Sequence, residues 1–448
     1  MIVDKSRTNL TVDLLQQMIR NECVNDGEVE SGEEIRNSDL LETYLEGAGL
    51  DVETFEPAEG RKSMVARIEG TDPEAPALCL MGHTDVVPVS PAGWREDPFG
   101  GALIDGEVWG RGALDMLCLT SSMAVAFKHL ATSSFRPKGD LVYFGVADEE
   151  AGGTWGARWI ADHHWDAIAC DYVLTEYGGF PAATNDGAAT IINVAEKGVG
   201  WQRLHVRGTP GHGSAPYDAD NALIRAAEVI RRLSEYRPTP EMHELWKIQV
   251  ESLPYSDDVK HAMLSPETVD EALDGLSDRT HAKRLHACSH TTFSPNVVHG
   301  GVKTNVIPDE VFIEVDIRTL PGETQEDVHA HLRTALGDDL YERLDIEAIH
   351  DDPASSSPVD THLWDVLADV VGEAKPSAPL QPGLIAGGTD SRFFRRRDVV
   401  AYGAGLFSPL VTQEEFAARF HGHNERVDIE SLALTTQLWI DVAQRFWE

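Results

Sequence analysis

Positive charge is what this sequence has least of. Its 448 residues hold 37 lysines and arginines against 75 aspartates and glutamates, a formal net charge of −38. A field of that sign repels nucleic acid and anionic membranes and draws in cations, so neither of those partners is expected. Long apolar runs are missing too; none reaches the roughly 20 residues that span a bilayer. The opening MIVDKSRTNLTVDLL lacks the basic, apolar and small-residue zones of a secretory leader. Cysteine is sparse, five in all, odd in number and without a C-x-x-C pair. That argues against a disulfide framework and for a reducing, cytoplasmic setting in which thiols fill core space. Internal repeats and low-complexity segments are also lacking.

What is present is alternation. Through residue 196, apolar strands such as ALCLMG, DLVYFGVA and DYVLTE are separated by helical patterns near 10–20, 33–47, 117–131 and 153–163. Strands that are apolar throughout belong to a mostly parallel sheet with helices on both faces, an α/β architecture. From 197 the pattern changes. GWQRLHVRG and FIEVDIRTL alternate as half-exposed strands do, with helices near 219–234 and 323–337 and a polar, helix-rich stretch at about 237–290. A chain of this length is long for one core. The reading is therefore an inserted α+β domain over 197–351. HDDPASSSP leads back to a discontinuous first domain made of 1–196 and 352–448.

In open α/β sheets, ligands bind beyond the carboxyl ends of the strands, and ionisable groups gather there. His83 and Asp85 follow ALCLMG. Asp115 opens a helix after the glycine-rich GRGAL. Glu149 and Glu150 follow DLVYFGVAD, Glu176 follows DYVLT, and His423 lies in RFHGHNERV before the final helix. Singly, each has an ordinary explanation: a structural histidine, a helix cap, a solvated loop. Together they do not, because charges avoid the mouth of a buried sheet unless they are paired or bind a cation. Two imidazoles with three carboxylates suit Zn2+, with Co2+ or Mn2+ as alternatives. Five ligands exceed the roughly three of a single catalytic zinc. They suit two ions about 3.5–4 Å apart that share one carboxylate.

The ordered stretches GHTDVVP, GRGALDM, DEEAGG, GTPGHGSAP, TNVIPD, DIRTLPG, GGTDSRFF and HGHNERV resemble the M20 metallopeptidase and amidohydrolase family over nearly the whole chain. The resemblance implies that Asp115 bridges two zinc ions. His83 and Glu176 would complete one shell, Glu150 and His423 the other. Asp85 would orient His83, Glu149 would be the general base, and a cis peptide would join Asp115 to Met116. His212 would stabilise the oxyanion, often from a partner subunit, so the inserted domain would serve as a lid and as the face of a homodimer. Asn305 and Arg318 match substrate-binding positions, Arg318 suiting a carboxylate. Gly387, Gly388 and Thr389 would turn backbone amides toward the substrate.

The expected substrate is a small N-acyl amino acid or a short peptide, cut at an amide next to a free carboxylate. Glu176 and the long insertion match the carboxypeptidase and aminoacylase branches. GGTDSRFF departs from the desuccinylase form, which leaves a biosynthetic deacylase of acetylornithine or succinyl-diaminopimelate type as the alternative. An inactive binding protein on this fold is a further one, opposed by the intact Glu149 and ligand set. His163 and His164 read as surface, His281, His286 and His290 as too loosely spaced for a ligand set, and RFFRRR as a solvated helix face.

Overall fold

The Leu78–His83 strand is buried at every position, and its neighbours explain why. Leu141–Val146 and Tyr172–Thr175 flank it in parallel, and Val400–Gly403 extends the parallel run. Antiparallel strands Ser63–Ile68 and Val52–Phe55 finish one edge. Beyond Val400–Gly403 lies Gly187–Glu196, which carries Leu380–Ile385 in parallel. Described in the computed structural model are residues 3–185 and 187–448. Among them this sheet has ten strands.

Alternate residues of the central strands enter different cores. Leu78, Leu80, Leu141, Tyr143 and Leu174 face one; Cys79, Met81, Val142, Phe144 and Val173 face the other. Helices Lys5–Arg20, Leu117–Thr132 and Ile429–Arg445 pack together over the first face. Ala157–His163 and Ser391–Arg395 cover the second. Each large apolar side chain so buried contributes roughly 1.5–3 kcal/mol, which is why the strands carry no polar face. The expected mostly parallel α/β sheet with helices on both sides is what forms. None of the described helices is long and apolar enough to cross a membrane.

A smaller antiparallel sheet has the order Thr292–Gly300, Glu310–Thr319, Gly198–Arg207, Leu344–Asp352. Its strands alternate, and Ala222–Glu235 and Gln325–Leu336 cover its apolar face. The polar stretch at 237–290 departs from expectation. Its helices, from Glu244–Ser252 to Arg279–Ser289, do not extend the smaller core. Trp246, Val250, Met263 and Leu285 belong to the large one, and Glu244–Ser252 packs on Leu380–Ile385. The smaller sheet's apolar face is already taken, whereas Leu380–Ile385 is an edge strand that needs a cover.

RFFRRR is a second departure. Arg392, Phe393 and Phe394 are buried, the phenylalanines in the second core. Arg395 Nη1 lies 3.1 Å from Glu196 Oε1, Arg392 Nε lies 3.2 Å from Asp352 Oδ2, and Arg396 also pairs with Asp352. Glu196 and Asp352 stand where the chain crosses between the sheets, so buried acids from elsewhere in the sequence hold Arg392 and Arg395 out of water, while Arg396 and Arg397 stay exposed as expected.

Candidate metal centre

His83 ends its strand at the rim of the large sheet, 1% exposed. Asp115 stands just before the Leu117–Thr132 helix, whose N-terminal end favours negative charge. One Asp115 oxygen, Oδ1, is 3.1 Å from His83 Nε2; the other, Oδ2, is 2.8 Å from His421 Nε2. Glu176 Oε2 approaches His83 Nε2 at 3.7 Å, and Glu150 Oε2 approaches His421 Nε2 at 3.2 Å. Ligand atoms of His83, Asp115 and Glu150 lie within 4.8 Å of one another, as do those of His83, Glu149 and Glu176. The carboxylate between two imidazole clusters is the layout of a shared bridge.

His423 is not part of it. The HGHN loop reverses with left-handed backbone at His421 and Asn424, φ 55° and 59°. The reversal turns His421 inward, while the exposed His423 ring lies against Gly93. The second imidazole is therefore His421, one glycine away from the expected position. The Asp115–Met116 peptide is trans, like every other described peptide bond, so the expected cis bond is absent.

Supporting groups fix the cluster. His83 Nδ1 lies 3.0 Å from the Asp85 carbonyl and 3.4 Å from Asp85 Oδ1, which sets the tautomer with Nε2 facing Asp115. Asn25 donates to Asp85 Oδ2 at 2.9 Å and to Asp148 Oδ1 at 3.2 Å. The Asp148 backbone is left-handed, φ 69°, and it presents Glu149 and Glu150. Arg61 bonds Glu34 at 2.6 Å and lies 3.4 Å from Asp148, all three side chains buried. Glu425 Oε1 accepts the amides of Leu114 and Asp115 at 2.7 and 3.0 Å, and Arg111 neutralises it. Sequence reading missed Asn25, Arg61, Arg111 and Glu425. Glu425 carried a signal inside HGHNERV and Arg111 inside GRGALDM; Asn25 and Arg61 carried none.

Burial would by itself lower the His83 ring, yet the Asp115, Asp85 and Glu176 carboxylates raise it well above the ordinary imidazole value. His421 rises, against its own burial, to about 10 beside Asp115 and Glu150. Burial, then the Asp115 charge, pushes Glu150 up to about 8. Glu149 is driven well up by burial, then by Glu176 and Asp390. Asp115 is held low despite burial by the two imidazoles. Glu150 Oε1 is buried without a hydrogen-bond partner. Crowded carboxylates, imidazoles with their Nε2 atoms turned inward and an orphaned oxygen are the donor set that divalent cations satisfy.

Asp115, Glu149, Glu150, Glu176 and His421 line a cleft of about 840 Å³ between the two sheets. Arg318, Gly387, Gly388 and Thr389 line it as well. Arg318 is paired with Asp316 at 2.7 Å. Thr389 departs from expectation in its amide: it donates to Glu196 Oε2 at 2.6 Å, so it holds the crossing and is not turned toward a substrate. His212 and Asn305 do not line the cleft. They are exposed on the pairing of Gly211–His212 with Val306–Ile307, a strand pair of the smaller unit that stands off the rim. His212 Nδ1 lies 2.8 Å from the Ser214 hydroxyl. His163 and His164 are exposed as expected.

A profile of peptidase family M20/M25/M40 matches residues 79–445. N-fatty-acyl-amino acid synthase/hydrolase PM20D1 of Xenopus tropicalis is 28% identical over 402 residues, 86% of this chain and 75% of the relative. Carboxypeptidase S of Saccharomyces cerevisiae is 28% identical over 414 residues, 81% of this chain and 70% of the relative. Among solved structures, the M20 family metallo-carboxypeptidase Sso-CP2 from Sulfolobus solfataricus shares the fold. It matches with a TM-score of 0.72 at 18% identity, covering 99% of each chain. A rim of imidazoles and carboxylates on this fold, matched along most of its length, places the chain in peptidase family M20/M25/M40, as a metal-dependent hydrolase of amide or peptide bonds.

Proposed function

We propose that the chain is a two-zinc hydrolase that cleaves the amide next to a free carboxylate, in N-acyl amino acids or at the C-terminus of short peptides. The observation that carries this reading is Asp115, which offers one oxygen to the His83 cluster and the other to the His421 cluster. His83, Glu176, His421 and Glu150 would hold the two ions with Asp115 between them. Bound there, the ions supply Lewis acidity and lower the pKa of water.

The chain's own groups would do the rest. Asp85 keeps His83 Nε2 turned toward Asp115. Glu149, in the cleft wall beside Glu150 and Glu176, would take a proton from the attacking water and pass it to the leaving amine. Arg318, in the cleft wall, would bind the substrate carboxylate through its guanidinium fork.

Close in the chain to His212 and Asn305, the large apolar side chains of Tyr217 and Val302 are exposed, at 96% and 92%. We take this face as a homodimer contact that would carry His212 to the partner's cleft. The five buried free cysteines support a reducing, cytoplasmic setting.

The test is turnover of an N-acyl amino acid and dipeptide panel that includes N-acetylornithine and N-succinyl-diaminopimelate, with metal content and sedimentation measured alongside. Cleavage of general N-acyl amino acids or C-terminal residues supports the proposal. Strong preference for either biosynthetic substrate overturns it.

A further inference from the structure

The helical insertion holds a second cluster, away from the cleft lining, that the hydrolytic reaction does not use. His286 sits in the last turn of the Arg279–Ser289 helix, and His290 caps it. Their rings stack in parallel with centroids 4.0 Å apart. Asp270, on the neighbouring Val269–Asp274 helix, brings Oδ1 to 3.2 Å from His290 Nε2 and 4.0 Å from His286 Nε2. All three ligand atoms lie within 4.8 Å of one another.

His290 shows that this is more than a surface gathering. Its side chain is 1% exposed. Nδ1 faces the His286 carbonyl at 3.1 Å and the Ser289 hydroxyl at 2.9 Å. That second partner of the ring is the usual way a metal-binding imidazole is oriented, since it fixes which nitrogen keeps its lone pair. Nε2, aimed at Asp270, makes no hydrogen bond. With Nδ1 donating to the His286 carbonyl, Nε2 turns its lone pair toward the Asp270 carboxylate oxygen, a pairing that a cation between the two would satisfy.

We propose that Asp270, His286 and His290 form a binding site for a borderline divalent cation such as Zn2+, separate from the hydrolytic centre. Ligand atoms about 2.1 Å from a tetrahedral ion lie about 3.4 Å apart, which the 3.2 and 4.0 Å separations approach on either side; the His286 ring, stacked on His290, would turn about its Cβ–Cγ bond to bring its own Nε2 lone pair onto the ion. Asp270 and His286 border a cavity of about 440 Å³, room for water in the fourth position. The helix C-terminus adds the negative end of its dipole. The Lys197 ammonium is spent on the Ala287 and His290 carbonyls, at 2.9 and 2.5 Å. The ion would tie the two insertion helices together where His290 leads into the Thr292–Gly300 strand of the smaller sheet.

The site can be tested independently of the hydrolytic centre. Bound zinc is counted after dialysis against Zn2+ for the wild type, for Asp270→Asn/His286→Asn and for Glu150→Ala/His421→Ala. The wild type should carry one equivalent more than Asp270→Asn/His286→Asn, whose kcat/KM should stay within about twofold. The Glu150→Ala/His421→Ala protein should lose hydrolysis and keep the extra ion. Added Zn2+ should raise the Tm of that protein, and the rise should vanish when Asp270→Asn and His286→Asn are introduced into it. Equal zinc in the wild type and Asp270→Asn/His286→Asn, or a Tm rise that survives those substitutions, overturns the proposal. Single Asp270→Asn, at a half-exposed side chain, gives the same comparison if the double variant folds poorly.

Discussion

Replacing His421 by alanine is expected to remove one metal equivalent and with it the hydrolysis. The same change at His423 should leave both untouched, as metal analysis beside an amidase assay would show. The two residues differ by one glycine, and only backbone geometry separates them: His421 reaches Asp115 Oδ2 at 2.8 Å. Their order was not legible because an irregular loop has no period from which to read a direction. His83, Asp115, Glu150 and Glu176 were legible because each stands at or just past the end of a buried strand or before a buried helix. Glu149→Ala should keep its metal and lose about 10²- to 10⁴-fold in kcat, the usual weight of a general base. A variant that binds metal normally and still turns over at the wild-type rate would remove Glu149 from the role.

At the scale of single elements, the Ser391–Arg395 helix carries most of what sequence could not disclose. With the two residues after it, its four arginines beside two phenylalanines read as a wet face. Arg392 and Arg395 are buried only because Asp352 and Glu196 arrive from far along the chain. Arg395→Ala leaves Glu196 buried without its charge partner and should cost about 3–5 kcal/mol in denaturant unfolding. The segment where the chain crosses also predicts a pH effect. Burial lowers Lys197 from 10.5 to about 8. Below pH 8 the folded state confines a charge that the unfolded chain hydrates freely. That penalty, about 3 kcal/mol from the shift, is relieved as pH rises from about 8 toward 10.5. The stability difference between Lys197→Met and the wild type should therefore shift in favour of the wild type over that interval, and chemical denaturation at several pH values measures it. The insertion helices show a related limit: their apolar stripes were legible, their partner was not. An amphipathic pattern says that a face is covered without saying by which sheet.

For the whole molecule, the imbalance of −38 means that like charges press outward over the surface. Raising NaCl from about 0.1 M to about 1 M shortens the screening length from about 10 Å to about 3 Å. The Tm should rise, and a flat or falling Tm would show that the repulsion is already balanced locally. The alternation of strands and helices told in advance which sheet would form, and the change of strand character near 197 told where a second would begin. How the two sheets meet rests on one short helix. The chain passes between them at Glu196 and at Asp352, and both carboxylates are gripped by arginines of Ser391–Arg395, beside the Gly387–Thr389 wall of the cleft. Any swing of the smaller sheet thus has its hinge at the catalytic floor. Points near a pivot travel least, so the gap above Asp115 could open to admit a substrate and shut behind it while the metal-holding side chains keep their spacing.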